Sequence, residues 1–204
     1  KHEESGRAFL SKGFLEQAKK VANINVSIFS EVISEATPLI GIEPSAILTF
    51  RDEYIKLSDH KDAAKKLAKN CFLIEEFIQN EIILGNIKPE QFTKDSKNIK
   101  FHGHCHQKAL SNQKTSFDIL NLPKNYRVTI IPSGCCGMAG SFGYEKEHYE
   151  VSMQIGEQTL FPAVRKAPED SIISANGTSC RHQILDGTGR KAQHPISILK
   201  QALI

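Results

Sequence analysis

Apolar residues along the chain follow two alternating periods. Over residues 13–36 they recur at helical spacing (Phe14, Leu15, Ala18, Val21, Ala22, then Val26, Ile28, Phe29, Val32, Ile33). That spacing predicts one long helix, or a pair broken near Asn23–Asn25. Residues 38–42 form a short apolar run and predict a buried strand. Glu43-Pro44-Ser45-Ala46 then predicts a turn into a helix, with Pro44 in the first turn and Ser45 as cap. From residue 60 to 84, Ala64, Leu67, Cys71, Ile74, Ile78 and Ile82 keep helical spacing, which predicts one strong helix with Cys71 in the core. Residues 85–97 are polar and rich in Pro, Lys and Asp, and read as a linker. Beyond it, strands are expected at 99–102, 126–131 and 171–174. Helices are expected at 108–120, 144–164, after the turn at 176–180, and at 196–203. Strands that alternate with helices imply an α/β fold with a parallel sheet.

Length and charge narrow the class. The 204 residues suffice for one large domain or two small ones. A formal net charge of +3, with no block of like charge, argues against a nucleic-acid partner. No apolar run approaches the roughly 18 residues of a membrane span, and no signal peptide opens the chain. Five cysteines, three of them among glycines and histidines, favour thiolate ligands in a reducing cytoplasm over disulfides. In that setting Asn25-Val26-Ser27 and Asn176-Gly177-Thr178 match the glycosylation pattern by chance. The start at Lys1, without an initiator Met, reads as a fragment of something longer.

Candidate chemistry centres on Pro132-Ser133-Gly134-Cys135-Cys136-Gly137-Met138-Ala139-Gly140. Adjacent cysteines rarely bridge each other, because the small ring strains the disulfide torsion. Flanking glycines let the backbone take positive φ and approach something bulky. Cys105, Cys135, Cys136 and Cys180 all lie just past the C-terminal ends of expected strands, where open α/β sheets place ligands. Four cysteines suit a tetrahedral Zn²⁺ or an iron–sulfur cluster. Glycines at 134, 137, 140 and 143 favour the larger object. His102, His104 and His106 flank Cys105, and strand alternation would set them on one face and Cys105 on the other unless the chain turns there. The run could supply one ligand, and His182 another, although each reads as a neighbour of the site more than as a ligand. Lys108 and Arg181 are either compensating charges or ordinary surface residues. No G-x-S-x-G elbow, Walker loop or G-x-G-x-x-G is present. A nucleophilic Cys135 or Cys136 beside His104 would leave the other thiols without a joint role.

The chain also repeats itself. Glu4-Ser5-Gly6-Arg7, a helix, a strand and Glu43-Pro44-Ser45-Ala46 match Cys135-Cys136-Gly137, a helix, a strand and Gly177-Thr178-Ser179-Cys180. Asp52 and Asp186 follow in turn. Ser45-Ala46 falls on Ser179-Cys180, so the first copy lacks the thiols and the live site is expected in the second.

These motifs carry a resemblance. His104-Cys105-His106-Gln107-Lys108, Cys135-Cys136-Gly137-Met138-Ala139-Gly140 and Asn176-Gly177-Thr178-Ser179-Cys180-Arg181-His182-Gln183-Ile184 resemble the cysteine-rich "CCG" domain. That family includes the CCG-bearing subunit of heterodisulfide reductase, the iron–sulfur subunits of glycolate oxidase and anaerobic glycerol-3-phosphate dehydrogenase, and lactate-utilisation proteins. The likeness is greatest to the C-terminal part of large FAD-linked D-2-hydroxyacid (D-lactate or glycolate type) oxidoreductases, and Glu43-Pro44-Ser45 and Leu48–Glu53 look like that group's first copy. Many members end the motif with Cys-x-x-Cys, whereas here Gly177 holds the first of those positions. That argues against a five-cysteine, non-cubane arrangement.

The resemblance implies two pseudo-repeated Rossmann-like halves with parallel sheets. The first, degenerate and incomplete at its N-terminus, runs with a helical connector over residues 1–90, and the complete repeat over 91–204. It implies one 4Fe–4S cluster on Cys105, Cys135, Cys136 and Cys180, with Gly134 and Gly137 giving clearance and His104, His106 and His182 beside it. The expected role is electron relay from reduced FAD, on a missing flavin domain, to a downstream acceptor. A ferredoxin-like iron–sulfur domain of the same polypeptide is a further expected partner. The expected place is the cytoplasm or the inner face of the cell membrane. Two alternatives remain open at this point: a structural zinc domain without redox role, and a cysteine thiol enzyme.

Overall fold

The computed structural model describes residues 1–204, which divide into two units, 1–74 and 75–204. The first unit runs α1 (Arg7–Ser11), α2 (Leu15–Ser30), β1 (Leu39–Gly41), α3 (Pro44–Ile47), α4 (Glu53–Leu57), α5 (Lys61–Lys69) and β2 (Cys71–Leu73), and α6 (Ile74–Ile83) starts at the boundary. The spacing of Ala18, Val21, Ala22 and Val26 puts all four on the buried stripe of α2. The helix passes through Asn23–Asn25 unbroken, the first of the two alternatives. Asn25 is fully buried, and its amide is satisfied outside the helix: it donates to Glu4 O and Tyr54 Oη and accepts from Glu3 N. The helix ends at Ser30, short of the expected residue 36, and Val32 beyond it is exposed. Glu43, not Ser45, caps α3; its carboxylate accepts from Ser45 N and Ser45 Oγ, and Pro44 opens the helix.

The expected helix over 60–84 is three elements. Cys71-Phe72-Leu73 leaves helical geometry to pair in parallel with β1, Leu39 opposite Cys71 and Gly41 opposite Leu73. Alternating burial (Cys71 and Leu73 in, Phe72 half out) is the strand period, which the helical spacing of the neighbours masked. Cys71 is a core residue nonetheless. Strand β1 is half-buried, not buried as expected.

The second unit continues β3 (Lys97–His102), α7 (Cys105–Leu110), α8 (Gln113–Leu120), β4 (Tyr126–Ile130), α9 (Tyr149–Gln158), α10 (Leu160–Arg165), β5 (Ile172–Ala175), α11 (Thr178–Thr188), β6 (Ala192–Gln193) and α12 (Pro195–Ala202). Its four strands are all parallel, in the order β4-β3-β5-β6. The fold is α/β with parallel sheets. Two expected helices are interrupted. Asn112 caps a new helix by accepting from Lys114 N, which splits 108–120. Residues 142–148 form 3₁₀ turns, and Thr159 separates α9 from α10. The expected linker is anchored within this unit: Phe92 is buried and bridges antiparallel to Leu203.

Successive residues of β5 serve opposite faces of the sheet. Ile173 packs with Ile131, Leu160, Phe161, Val164 and Ile184, while Ile172 adjoins Ile99, Phe101, Ile119, Leu120 and Ile198. Helices therefore cover both faces, as a parallel sheet requires. Phe161 has no exposed surface, and its ring fills the space left by two helical glycines. A Cβ at Gly156 or at Gly187 would lie 2.3 Å from a ring carbon. Arg190 closes the same region: its guanidinium donates to the carbonyls of Val164, Ala167, Glu169 and Ser171. Gly187→Ala should lower stability by about 1–3 kcal/mol in urea denaturation despite the better helix propensity of alanine, because Phe161 has nowhere to move. An unchanged midpoint would show that the ring is not confined.

Candidate metal centre

The strands β4, β3 and β5 are neighbours and parallel, so the loops leaving their C-terminal ends meet at one sheet edge. The chain passes from β3 to β4 on one side and then returns to β5 on the other. This is the switch point at which open α/β sheets bind ligands.

The central strand ends in His102, which has no exposed surface. The chain turns at once after Gly103: His104 caps α7, its Nδ1 accepting from His106 N at 3.1 Å, and Cys105 is the first helical residue. Strand alternation therefore stops at His102 and does not set Cys105 apart from the histidines. A buried polar chain ties α7 to the end of β5. His104 N donates to Asn176 Oδ1 (3.2 Å), Asn176 Nδ2 to Gln107 Oε1 (2.8 Å), and Gln107 Nε2 to Ser116 Oγ (2.8 Å). Each link satisfies a group that would be costly to bury alone.

From β4 the chain enters the Cys-Cys loop, which Lys108 grips by donating to Ser133 O at 2.9 Å and to Gly134 O. Gly137 has φ 104°, and a Cβ there would lie 2.1 Å from Ser152 O, so only glycine fits against α9. Gln183 secures the same point by donating to Ser152 O and Oγ (3.1 and 2.9 Å). At Gly134 a Cβ would meet nothing within 4 Å, so the loop borders open space. From β5, Gly177 leads into α11 and buries Cys180. Arg181 donates to Ala175 O, Asn176 O and Thr178 Oγ1, which engages it with the strand end.

All five cysteines are free thiols; Cys136 and Cys180 are buried, Cys105 and Cys135 half-buried. The four at this edge act on one another in series: Cys135 shifts the thiols of Cys105 and Cys136, and Cys180 also shifts Cys136. The Cys135 thiol is held far below its usual range, first by Cys105 and Cys136 and then by the N–H groups of Gly137 (3.3 Å) and Ala139. Cys180 is held low by Cys136 and by the imidazoles of His102 and His104. Cys105 is raised by its bond to Cys135 and by burial, and Cys136 by Cys135, Cys180 and burial. One further group stands out. His102, Cys136 and Cys180 bring a ring nitrogen and two sulfurs within 4.8 Å of one another.

The remaining histidines are placed differently. The ring of His104 fills the space in front of Gly177, where a Cβ would lie 2.3 Å from His104 Cδ2 and 3.1 Å from Cys180 Sγ. His106 stacks on His104 at 5.5 Å. His182 Nδ1 lies 2.8 Å from Tyr144 Oη. Ser133, Gln107, Asn176 and Gln183 carry no sequence signal of their role. Cys71 lies in the other unit; burial pushes its thiol up to about 12, and Sγ faces Leu67 O at 3.2 Å.

Comparison with known proteins agrees with the resemblance drawn from the motifs. The chain is 26% identical over 201 residues to D-2-hydroxyglutarate dehydrogenase of Escherichia coli (strain K12), covering 98% of the chain and 19% of that protein. It is 27% identical over 199 residues to a subunit of anaerobic glycerol-3-phosphate dehydrogenase from the same organism, covering 97% of the chain and 49% of that subunit. Lactate utilization protein A of Bacillus subtilis (strain 168) is 25% identical over 181 residues, 86% of the chain and 70% of that protein. The chain thus spans about a fifth of the first relative and about half of the second, and in the dehydrogenases the match is to the C-terminal portion. No family model and no solved structure matches the chain.

Two outcomes follow from this geometry. Gly177→Ala should displace the His104 ring, read as a shifted His104 ring resonance in NMR, with a loss of about 1–3 kcal/mol; an unmoved resonance would deny the close approach. The Cys71 thiol has a raised folded-state pKa, so its contribution to stability is complete below about pH 9 and is lost as pH rises toward 12. Urea midpoints measured across that range should fall, and fall less steeply in Cys71→Ala; equal slopes would exclude Cys71 as a source.

Proposed function

We propose that this chain is the iron–sulfur electron-transfer part of an FAD-linked 2-hydroxyacid oxidoreductase. The observation that carries this reading is the unbroken series of four free thiols, drawn from three neighbouring strand ends to one edge. In this reading Cys105, Cys135, Cys136 and Cys180 hold one 4Fe–4S cluster. When bound, such a cluster supplies a one-electron carrier whose potential is set by its ligands and by N–H groups aimed at sulfur. The residues around it bind and orient. Lys108 fixes the Cys-Cys loop and sets a positive charge beside thiolates, Gly137 N–H donates to Cys135, and burial of Cys136 and Cys180 excludes water. Electrons come from reduced flavin on another domain of the same polypeptide, which also carries a ferredoxin-like domain, and leave to a downstream acceptor. The setting is the cytoplasm or the inner face of the membrane; no helix is long and apolar enough to cross one.

The same reading makes the first copy, residues 1–90, a degenerate repeat of 91–204. Gly6 and Gly137 both have positive φ, and a Cβ at each would face a helix residue fifteen positions downstream, Val21 Cγ1 at 3.3 Å in α2 and Ser152 O at 2.1 Å in α9. The parallel pair β1–β2, like β5–β6, opens its connection with a helix straight after the first strand, and Ala46 is the third residue of that helix as Cys180 is of α11. That copy offers no thiol set.

A second reading, a structural zinc site without redox role, is favoured by the close group of His102, Cys136 and Cys180. Metal and sulfide analysis of the chain purified without oxygen separates the two. About four iron and four sulfide per chain, with an EPR signal on reduction that Cys135→Ser abolishes, is the expected result. One zinc without sulfide would overturn the electron-relay function.

A further inference from the structure

Among the groups at the sheet edge, His102 Nε2 is the anomaly. It is buried, belongs to a side chain with no exposed surface, and has no hydrogen-bond partner. Leaving such an atom unsatisfied costs about 1–3 kcal/mol. The other ring nitrogen is engaged: Nδ1 lies 2.7 Å from Ser133 Oγ, and Ser133 Oγ also faces Ile131 O at 3.5 Å. Ser133 Oγ therefore fixes the orientation of the ring through Nδ1 and aims Nε2 at the sheet edge. Donation from Nδ1–H to that hydroxyl would leave the lone pair on Nε2, the arrangement by which an outer partner prepares a histidine ligand. His104 is the opposite case, since its Nδ1 accepts from His106 N and its proton belongs on Nε2.

We infer that His102 Nε2 is a direct metal ligand, together with Cys136 and Cys180, so that the centre is held by mixed nitrogen and sulfur donors. This rests on the reading that the edge holds a metal and revises its all-cysteine ligand set. A ring nitrogen of His102 and the two sulfurs lie within 4.8 Å of one another, and Nε2 is the nitrogen that Ser133 leaves free. With bonds of about 2.0 Å to nitrogen and about 2.3 Å to sulfur, two donors on one ion stand at most about 4.6 Å apart, so small closures bring all three to bonding distance. The position follows from topology: His102 ends the central strand, so its side chain forms the floor of the site between the loops that carry Cys136 and Cys180. Ser133 is a positioning residue for that ligand.

The test uses the whole chain labelled with ¹⁵N-histidine, prepared anaerobically and, in parallel, loaded with Co²⁺. If iron is bound, pulsed EPR of the reduced protein should show a strongly coupled histidine nitrogen that persists in His104→Gln, His106→Gln and His182→Gln and vanishes in His102→Gln. In the Co²⁺ protein, His102→Gln should move the d–d bands and weaken metal binding at least tenfold. Ser133→Ala, which leaves the buried ring in place, should weaken Co²⁺ binding by about 10- to 100-fold. The wild-type nitrogen coupling needs no variant, so it stands even where His102→Gln does not fold. Metal bound with no histidine nitrogen would overturn the inference and leave the electron relay intact. Zinc bound with a histidine nitrogen would support the inference and overturn the relay. No uptake of iron, zinc or Co²⁺ would overturn both.

Discussion

The site depends on one constraint, the parallel register of β3 between β4 and β5. Phe101 pairs with Ile130 on one side and with Ser174 on the other, and His102 with Ala175. Parallel pairing forbids tight hairpins, so each connection must cross a face as helix and return to the same end of the sheet. Loops separated by dozens of residues are thereby delivered to one edge, and the central strand supplies its floor. Cys105, Cys135, Cys136 and Cys180 need no sequence proximity, because the ladder sets their spacing.

A pocket of four thiols poses an electrostatic problem that its surroundings address. Two thiolates near each other in a partly dry site repel, and each retained proton bridges a pair. The alternation found here, Cys135 and Cys180 held low and Cys105 and Cys136 raised, is the pattern of protons shared along a row of sulfurs. A metal ion bound there would replace those protons with a larger positive charge; metal binding by thiols in general releases protons and couples to folding. The supporting groups are all backbone-directed or paired among themselves: Lys108 on the loop carbonyls, Arg181 on the strand-end carbonyls, and the Asn176–Gln107–Ser116 chain beneath. They immobilise the loops without competing for sulfur.

Much of this was legible beforehand, and for identifiable reasons. The Cys-Cys-Gly loop announces itself because adjacent thiols between glycines have few other uses, and Gly137 proves to be required by a helix carbonyl 2.1 Å from its absent Cβ. The strand–helix alternation of 97–188 is readable because its strands and most of its helices are long enough to show their period, whereas the two-residue β6 shows none and was not expected. The strand at Cys71–Leu73 is not readable, since three residues flanked by helices carry too little period to outweigh their neighbours, and only pairing with Leu39–Gly41 makes them a strand. The interruption at Thr159 is equally hidden, because apolar spacing continues across it.

The sequence by itself determined the α/β class, the four thiols and the strand ends that carry them, because those follow from local periodicity and from the chemistry of cysteine among glycines. Only the tertiary structure decided which histidine faces the sulfurs. By sequence, His102, His104, His106 and His182 are near-equivalents. The fold separates them through where the strand ends and what each Nδ1 meets: Ser133 for His102, the His106 amide for His104, the Tyr144 hydroxyl for His182. Those partners come from across the sheet or from the cap of a helix whose start no local pattern specifies. Side-chain protonation and aim are set by such non-local neighbours, and they exist only once β3 lies between β4 and β5.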